Sequence, residues 1–520
     1  MLKKECEERM LELKEYRGHI RNWKVLCEEL KLDASLPREE REKAILLAAY
    51  EKWGEKMADH FYGMFAFAIW DSDKEELFAC RDQFGTKPFY YYMTKDGTLL
   101  CGTYIRQIME QEGFEKELNE DMLQLYLTLT YVAGEDTFFQ GVKKLMPGRY
   151  LKWKKGAEPE IVRYWTPTFH PENDKSLEAF ADEINQTMDV IMKEVKEDSE
   201  TAESFLSGGV DSSYVLAISD AQTADTVGYD DARFDESPLA AETAKLLGRT
   251  LNRCRITPEE YFEIVPWVMK NMEQPLGDAS AIAFSIGCKA TAEHTKLCYS
   301  GEGSDEFFGG YNMYRNAERY GDNLKTFYVG NTNIMKEEEK KALLKNYKEG
   351  VLPIDLVKDI YEEIEDYDPL TKMSDIDIQI WLEGDIYLNV DKMSTASGLE
   401  IRMPLTDLRV FNIASRIPSK YKVNEEQNKV AFRTAAARFL PEEVAFRKKL
   451  GFIVPIRHWM ADDNYNAPVK EAIFSETAAQ FFNMEEVEKI WNEYKGGNSD
   501  LWRKIWTIYT FLVWYGQYFA

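Results

Sequence analysis

The chain has 520 residues, 44% hydrophobic, 13% aromatic and 30% charged, which excludes a disordered or membrane-embedded protein and is too long for one core. Asp and Glu outnumber Lys and Arg by 91 to 65, so the long-range field repels polyanions and excludes nucleic acid or an acidic membrane as the main partner. Small phosphate-bearing anions can still bind, because backbone N–H groups, one lysine and a divalent cation act within a screening length of about 10 Å.

Residues 1–53 are expected to be helical, ending with ILLAAYEKW before Gly54. The opening MLKKECEERM carries charges where a signal peptide needs an apolar stretch, and the seven cysteines never fall in a CxxC pattern, so a cytoplasmic protein with reduced thiols is expected. GMFAFAIWD, ELFACRD, FYYYM and LLCGTY are short β-rich runs divided by Asp, Lys and Gly, the pattern of a meandering antiparallel sheet. A helix is predicted near Glu120–Thr130, and MPGRYLKWKKGAEPEIVRYW predicts a closing hairpin.

TPTFHPENDKS holds two prolines and few apolar residues, which sets the expected division: 1–165, a linker 166–185, and 186–520. The second part opens as apolar strands running into loops and then helices, the alternation of a parallel α/β sheet. From about Asn331 the chain reads as mostly amphipathic helix, with Arg503 and Lys504 interrupting the aromatic C-terminal run.

Two motifs carry chemistry. SGGVDSS, Ser207 to Ser213, follows the strand residues Phe205 and Leu206 and precedes YVLAIS. Gly208 and Gly209 let the backbone approach a phosphate chain, Ser207, Ser212 and Ser213 add hydroxyl donors, and Asp211 is the natural Mg²⁺ ligand. No Lys follows the glycines, so this is not the loop that serves cleavage at the terminal phosphate.

The second motif, SGEGSDEFFGGY from Ser300 to Tyr311, again follows an apolar strand. Ser300 and Gly301 would complete the nucleotide site, Asp305 would hold a second corner of the magnesium, and Glu302 would take a proton from an amine. The five histidines show no metal-ligand spacing and are expected to be structural.

The first loop resembles the pyrophosphatase loop of N-type ATP pyrophosphatases. With both loops in view, residues from about 186 to 460 resemble the synthetase domain of asparagine synthetases. TVGYDDARFDESPLAAETAKLLG is similar to the family's adenine-side segment, which implies base contacts by Val227 and Leu206. VDKMSTASGLEIRMPLTD implies substrate-side roles for Asp391 and Arg402, and NKVAFRTAAARF aligns Lys429 and Arg433 with a Lys-x-x-x-Arg helix. The implied fold is a multi-domain α/β protein: an antiparallel β-sandwich glutaminase-like domain, then a parallel-sheet ATP-pyrophosphatase domain with a largely helical end. The implied chemistry is ATP- and Mg²⁺-dependent: a carboxylate, aspartate by resemblance, is activated as its adenylate and transferred to an amine, with Lys429 meeting the developing charge.

The N-terminal part is also similar to the family, with GMFAFAIWDSDKEELFACRDQFGTKPFYYY at its centre, but it departs where glutamine would be hydrolysed. Leu2 stands where the family has its catalytic Cys, Cys6 has no free amine unless the chain is cut after Glu5, and RGHIRN, Glu42 and Ala44 replace other glutamine-binding letters. The expectation is a degenerate glutaminase, so nitrogen would come as ammonia, as an amine substrate, or from a separate glutaminase partner. The sequence leaves open a homodimer, a ring-forming ligase of the β-lactam or macrolactam type, and a non-catalytic ATP-binding subunit.

Overall fold

The computed structural model describes residues 11–196, 201–448, 451 and 453–520, which fall into two compact units. The first comprises residues up to 118 with 134–167; the second comprises 119–133 with 168–520.

The first unit has two antiparallel sheets. One runs β1 (Leu11–Ile20), β2 (Gly63–Asp71), β3 (Glu76–Arg81), β7 (Arg149–Lys154) and β8 (Glu160–Arg163); the other places β4 (Tyr90–Met93) between β5 (Leu99–Gly102) and β6 (Lys143–Lys144). Strand alternation builds both cores. Phe65, Phe67 and Ile69 of β2 pack on Trp23, Leu26, Ile45 and Tyr50 of the helices Trp23–Leu30 and Arg38–Trp53. Ala66 and Ala68 turn the other way, joining Leu77, Tyr91, Leu99 and Trp153 between the sheets.

β1 corrects the helical expectation for residues 1–53. LELKEYRGHI is rich in helix-forming letters, yet it pairs antiparallel with β2 from Leu11↔Asp71 to Ile20↔Gly63. Its two-residue alternation and the open edge of β2 outweigh local propensity. The expected hairpin near 146–165 forms as β7 against β8.

In the second unit five strands are parallel, in the order β11 (Thr250–Arg255), β10 (Thr223–Gly228), β9 (Glu203–Phe205), β12 (Leu297–Tyr299) and β13 (Glu400–Arg402). The chain winds one way from β9 to β11 and the other way from β12 to β13, so strand order reverses between β9 and β12. Ligands of open α/β sheets bind beyond the carboxyl ends at such a reversal. The helix Leu177–Lys196 begins inside the stretch read as linker, because PTFHPENDK ends before Ser176 and an amphipathic pattern starts there. The helix Asp121–Leu129 lies where one was expected. Trp506 and Trp514 bury the terminal helix Trp502–Tyr518, and no helix among the described residues is long and apolar enough to cross a membrane.

The helical part buries Asp377, which accepts hydrogen bonds from the Tyr314 and Tyr328 hydroxyls, both at 2.6 Å. Burial outweighs those two bonds and pushes its carboxyl up to about 7. The folded state therefore holds a proton that the unfolded chain has released, so stability from this group is full below about 4 and falls as pH rises through about 7. Asp377→Asn is expected to flatten the decline in melting temperature between pH 5 and 8, measured by calorimetry. A constant cost of the amide shifts the whole curve and leaves that slope readable.

Candidate active site

The first loop leaves β9 at Phe205. Leu206 N–H still bonds to the Asp225 carbonyl of β10 at 2.9 Å, which brings Leu206 beside the end of β10 where Val227 lies half-buried. Gly208 then takes φ +80°, and a β-carbon there would stand 2.9 Å from the Ala240 backbone nitrogen, so only glycine makes this turn. Ser207 N–H donates to Ser212 Oγ at 3.1 Å, which closes the loop onto the first turn of the helix Val210–Ile218. The unpaired N–H groups of that turn and the loop glycines form an anion cradle. Arg447, which nothing in the sequence singled out, holds the loop from outside by donating to the Gly208 carbonyl at 2.9 Å.

The second loop leaves β12, the neighbour of β9. Ser300 N–H donates to the Arg402 carbonyl at 3.0 Å, and Gly301 lies directly on the first loop. A β-carbon on Gly301 would stand 2.9 Å from both Asp211 C and Ser212 N. Gly303 is left-handed and packs against Thr406 and Tyr387; Thr406 Oγ1 donates to the Glu302 carbonyl at 3.0 Å. Glu302 Oε1 accepts from Ser300 Oγ at 3.3 Å and is half-buried.

Lys429 joins the two loops. Its Nζ lies 2.6 Å from Asp211 Oδ1, 2.7 Å from Asp305 Oδ1 and 2.7 Å from Ser304 Oγ, with the side chain 2% exposed. It has φ +58° at the start of the helix Val430–Ala436, a conformation that costs a non-glycine residue about 1–2 kcal/mol. The surroundings hold it there: Asn428 Nδ2 donates to the Gly310 carbonyl, and Arg433 donates to the Asn428, Ala445 and Arg447 carbonyls at 2.7–2.9 Å. Gly310 is equally constrained, because a β-carbon would fall 1.7 Å from Asp305 Oδ1 and 2.2 Å from Lys429 Cε.

The comparisons decide the family. The family model described as asparagine synthase matches residues 188–516, and the one described as glutamine amidotransferase domain matches 3–165. Asparagine synthetase [glutamine-hydrolyzing] 1 of Bacillus subtilis is 32% identical over 541 residues, covering 96% of this chain and 84% of that protein. The chain belongs to the asparagine synthase family. A putative asparagine synthetase [glutamine-hydrolyzing] of Mycobacterium bovis is 29% identical across 96% of this chain and 83% of its own length, and asparagine synthetase [glutamine-hydrolyzing] 3 of Bacillus subtilis is 26% identical across 84% and 74%. Membership makes this asparagine synthase-family chain an enzyme of the ATP-dependent carbon–nitrogen ligase class.

The remaining assigned residues fall less neatly around Lys429. Arg402 ends β13, and its guanidinium is buried against the Val195 carbonyl and Glu400 Oε1, so it holds strand to helix within the framework. Asp391 is buried in the helix Leu388–Ala396, where the adjoining Lys392 forms a fully buried ion pair with Glu273. Glu306, beside Asp305, was not singled out in the sequence. It accepts from the Tyr311 hydroxyl, and burial with the adjacent Asp305 charge pushes its carboxyl up to about 8.

In the first unit the departing letters are built into the framework. Glu42 Oε1 accepts from Ile20 N–H at 3.0 Å and lies 3.3 Å from His19 Nδ1, both side chains being buried. Asn22 clamps the Tyr62 N–H and the His60 carbonyl. Leu2 and Cys6 lie outside the described residues.

Proposed function

We propose that the second unit makes asparagine from aspartate, ATP and ammonia through an aspartyl-adenylate. The observation that carries this reading is the single ammonium of Lys429 shared by Asp211 of one glycine-bearing loop and Asp305 of the next. ATP would lie with its phosphates over Ser207, Gly208, Gly209, Ser212, Ser213, Ser300 and Gly301 and its base towards Leu206 and Val227. An aspartate oxygen bonds to the α phosphorus as the bond to the β-phosphate oxygen breaks and pyrophosphate leaves. Ammonia then attacks the acyl carbon, gives a proton to Glu302, and AMP departs with the electron pair of the anhydride bond. Lys429 meets the negative charge that builds on the phosphoryl oxygens, a preorganised contact of the kind that lowers a barrier by about 3 kcal/mol.

The residues fit a magnesium ion. Two carboxylates from adjoining loops, each about one-fifth exposed, converge on one ammonium, and an all-oxygen donor pair suits a hard cation. Asp211 and Asp305 would hold it; when bound it would neutralise charge on the triphosphate.

The nitrogen is ammonia rather than glutamine in this reading, because the letters at Arg17–Asn22, Glu42 and Ala44 differ from the family's glutamine-binding ones and His19, Asn22 and Glu42 are engaged with the framework.

Exchange of labelled pyrophosphate into ATP across a panel of acids tests the proposal. Aspartate is expected to drive exchange in the absence of any amine; exchange with other acids but not aspartate contradicts it. Glu302→Gln separates the two half-reactions. It is expected to keep exchange within a few-fold while lowering ammonia-dependent asparagine formation by about 10²-fold or more, the usual contribution of a positioned base.

A further inference from the structure

A second cluster of ionisable side chains lies on one face of the same strands, in their amino-terminal halves, and the ligase chemistry does not use it. Glu203 opens β9, while Asp225 and Asn252 face each other across β10 and β11. Asp225 pairs with Phe205, two residues beyond Glu203, so strand alternation puts Glu203, Asp225 and Asn252 on one face of the sheet. The helix Ala279–Ala292 covers that face through Phe284, 5.5 Å from the Phe205 ring, and the turn after it delivers His294. His294 Nε2 lies 3.1 Å from Glu203 Oε2 and 3.1 Å from Asp225 Oδ1, and Asn252 Nδ2 lies 2.8 Å from the same ring nitrogen.

Two observations make this more than an acidic surface turn. The donor atoms of Glu203, Asp225 and His294 all fall within 4.8 Å of one another, from three separate elements. Asp225 is 5% exposed, and the Glu203 carboxyl meets it at hydrogen-bonding range, so two carboxyl groups share a site from which water is largely excluded. Two carboxyl groups held together in this way must share either a proton or a cation. Burial, the hydrogen bond with Asp225 and the Asp225 charge raise the Glu203 carboxyl above its ordinary range.

We infer that Glu203, Asp225 and His294 bind a first-row divalent transition metal, with Zn²⁺ as the reference ion, which pins β9 and β10 to the turn before β12. Two carboxylates and an imidazole suit Zn²⁺, whereas Mg²⁺ prefers oxygen alone. Ligands of such an ion sit about 2.0–2.2 Å from it, hence roughly 3.4 Å apart in a tetrahedron. The 3.1 Å separations are already close to that, and the wider ones close by rotation of Glu203 and His294, 17% and 38% exposed. The exposed imidazole edge also leaves an entry path and a coordination place for water.

The test uses the full chain stripped with a chelator, without ATP, so its outcome is independent of the ligase reading. Calorimetric titration is expected to show one equivalent of Zn²⁺ bound with a raised melting temperature and no comparable effect of Mg²⁺. Co²⁺ in its place is expected to give visible ligand-field bands without a thiolate charge-transfer band. Glu203→Gln and His294→Ala, checked for native circular dichroism, should each weaken Zn²⁺ binding by at least about tenfold, as loss of a ligand does. Binding weaker than about 1 mM in the wild type, a thiolate band, or unchanged affinity in both variants overturns the inference.

Discussion

Lys429→Ala lowers the rate of aspartate-dependent pyrophosphate release by about 10²–10³-fold, the loss typical of one preorganised donor to a developing oxyanion. The expectation follows from geometry, since the Nζ lies within 2.7 Å of a carboxylate on each loop. Its removal takes away the positive charge that joins Asp211 to Asp305, so the variant should also bind ATP more weakly. Lys429→Arg should restore little, although it keeps the charge. The space beside Lys429 Cε is so filled that one methyl on Gly310 would lie 2.2 Å from it, and a planar guanidinium needs more room than an ammonium. Steady-state pyrophosphate release, with circular dichroism to confirm folding, measures both variants. An arginine variant with near-native turnover would mean that Lys429 acts only as a diffuse charge.

Gly301→Ala tests the junction of the loops rather than a functional group. Its methyl would meet the Asp211 carbonyl carbon and the Ser212 nitrogen at 2.9 Å, and both are backbone atoms at the start of a helix, so neither can turn aside. The loops must part by several tenths of an ångström, carrying Asp211 away from Lys429 and Asp305. Misplacement on the order of 1 Å costs about 10²-fold in rate, so a shift of several tenths should cost about tenfold, and the strain should cost about 1–3 kcal/mol of stability. The expected result is a folded protein with a lower melting temperature and about tenfold lower turnover. Native turnover would show that the two loops work without touching.

Local pattern made some of this legible and hid the rest. Apolar strands running into SGGVDSS and SGEGSDEFFGGY pointed to two loops at the ends of strands, and β9 and β12 are indeed neighbours in one parallel sheet. The sequence reading explained Gly208 and Gly209 by a phosphate; Gly301 and Gly310 answer instead to protein atoms, which only the folded contacts reveal. Lys429 stood out through resemblance alone, since 125 positions separate Ser304 from it and no spacing rule spans that. LELKEYRGHI was misread as helix because propensity is local whereas the vacant edge of β2 is not. Arg402 has a substrate-side role by resemblance alone, and only the fold shows that its guanidinium also meets the Val195 carbonyl. Glu203 and Asp225 carry no spacing signal and His294 reads as structural in the sequence for the same reason, since 69 positions separate Asp225 from His294.

The central claim is that a carboxylate oxygen attacks the innermost phosphorus between the two loops. Turnover of aspartate labelled with heavy oxygen in its side-chain carboxylate, followed by mass spectrometry of the nucleotide, tests it most directly. AMP carrying one labelled oxygen is the predicted result. Label absent from AMP, with ADP and labelled inorganic phosphate formed instead, would contradict the account.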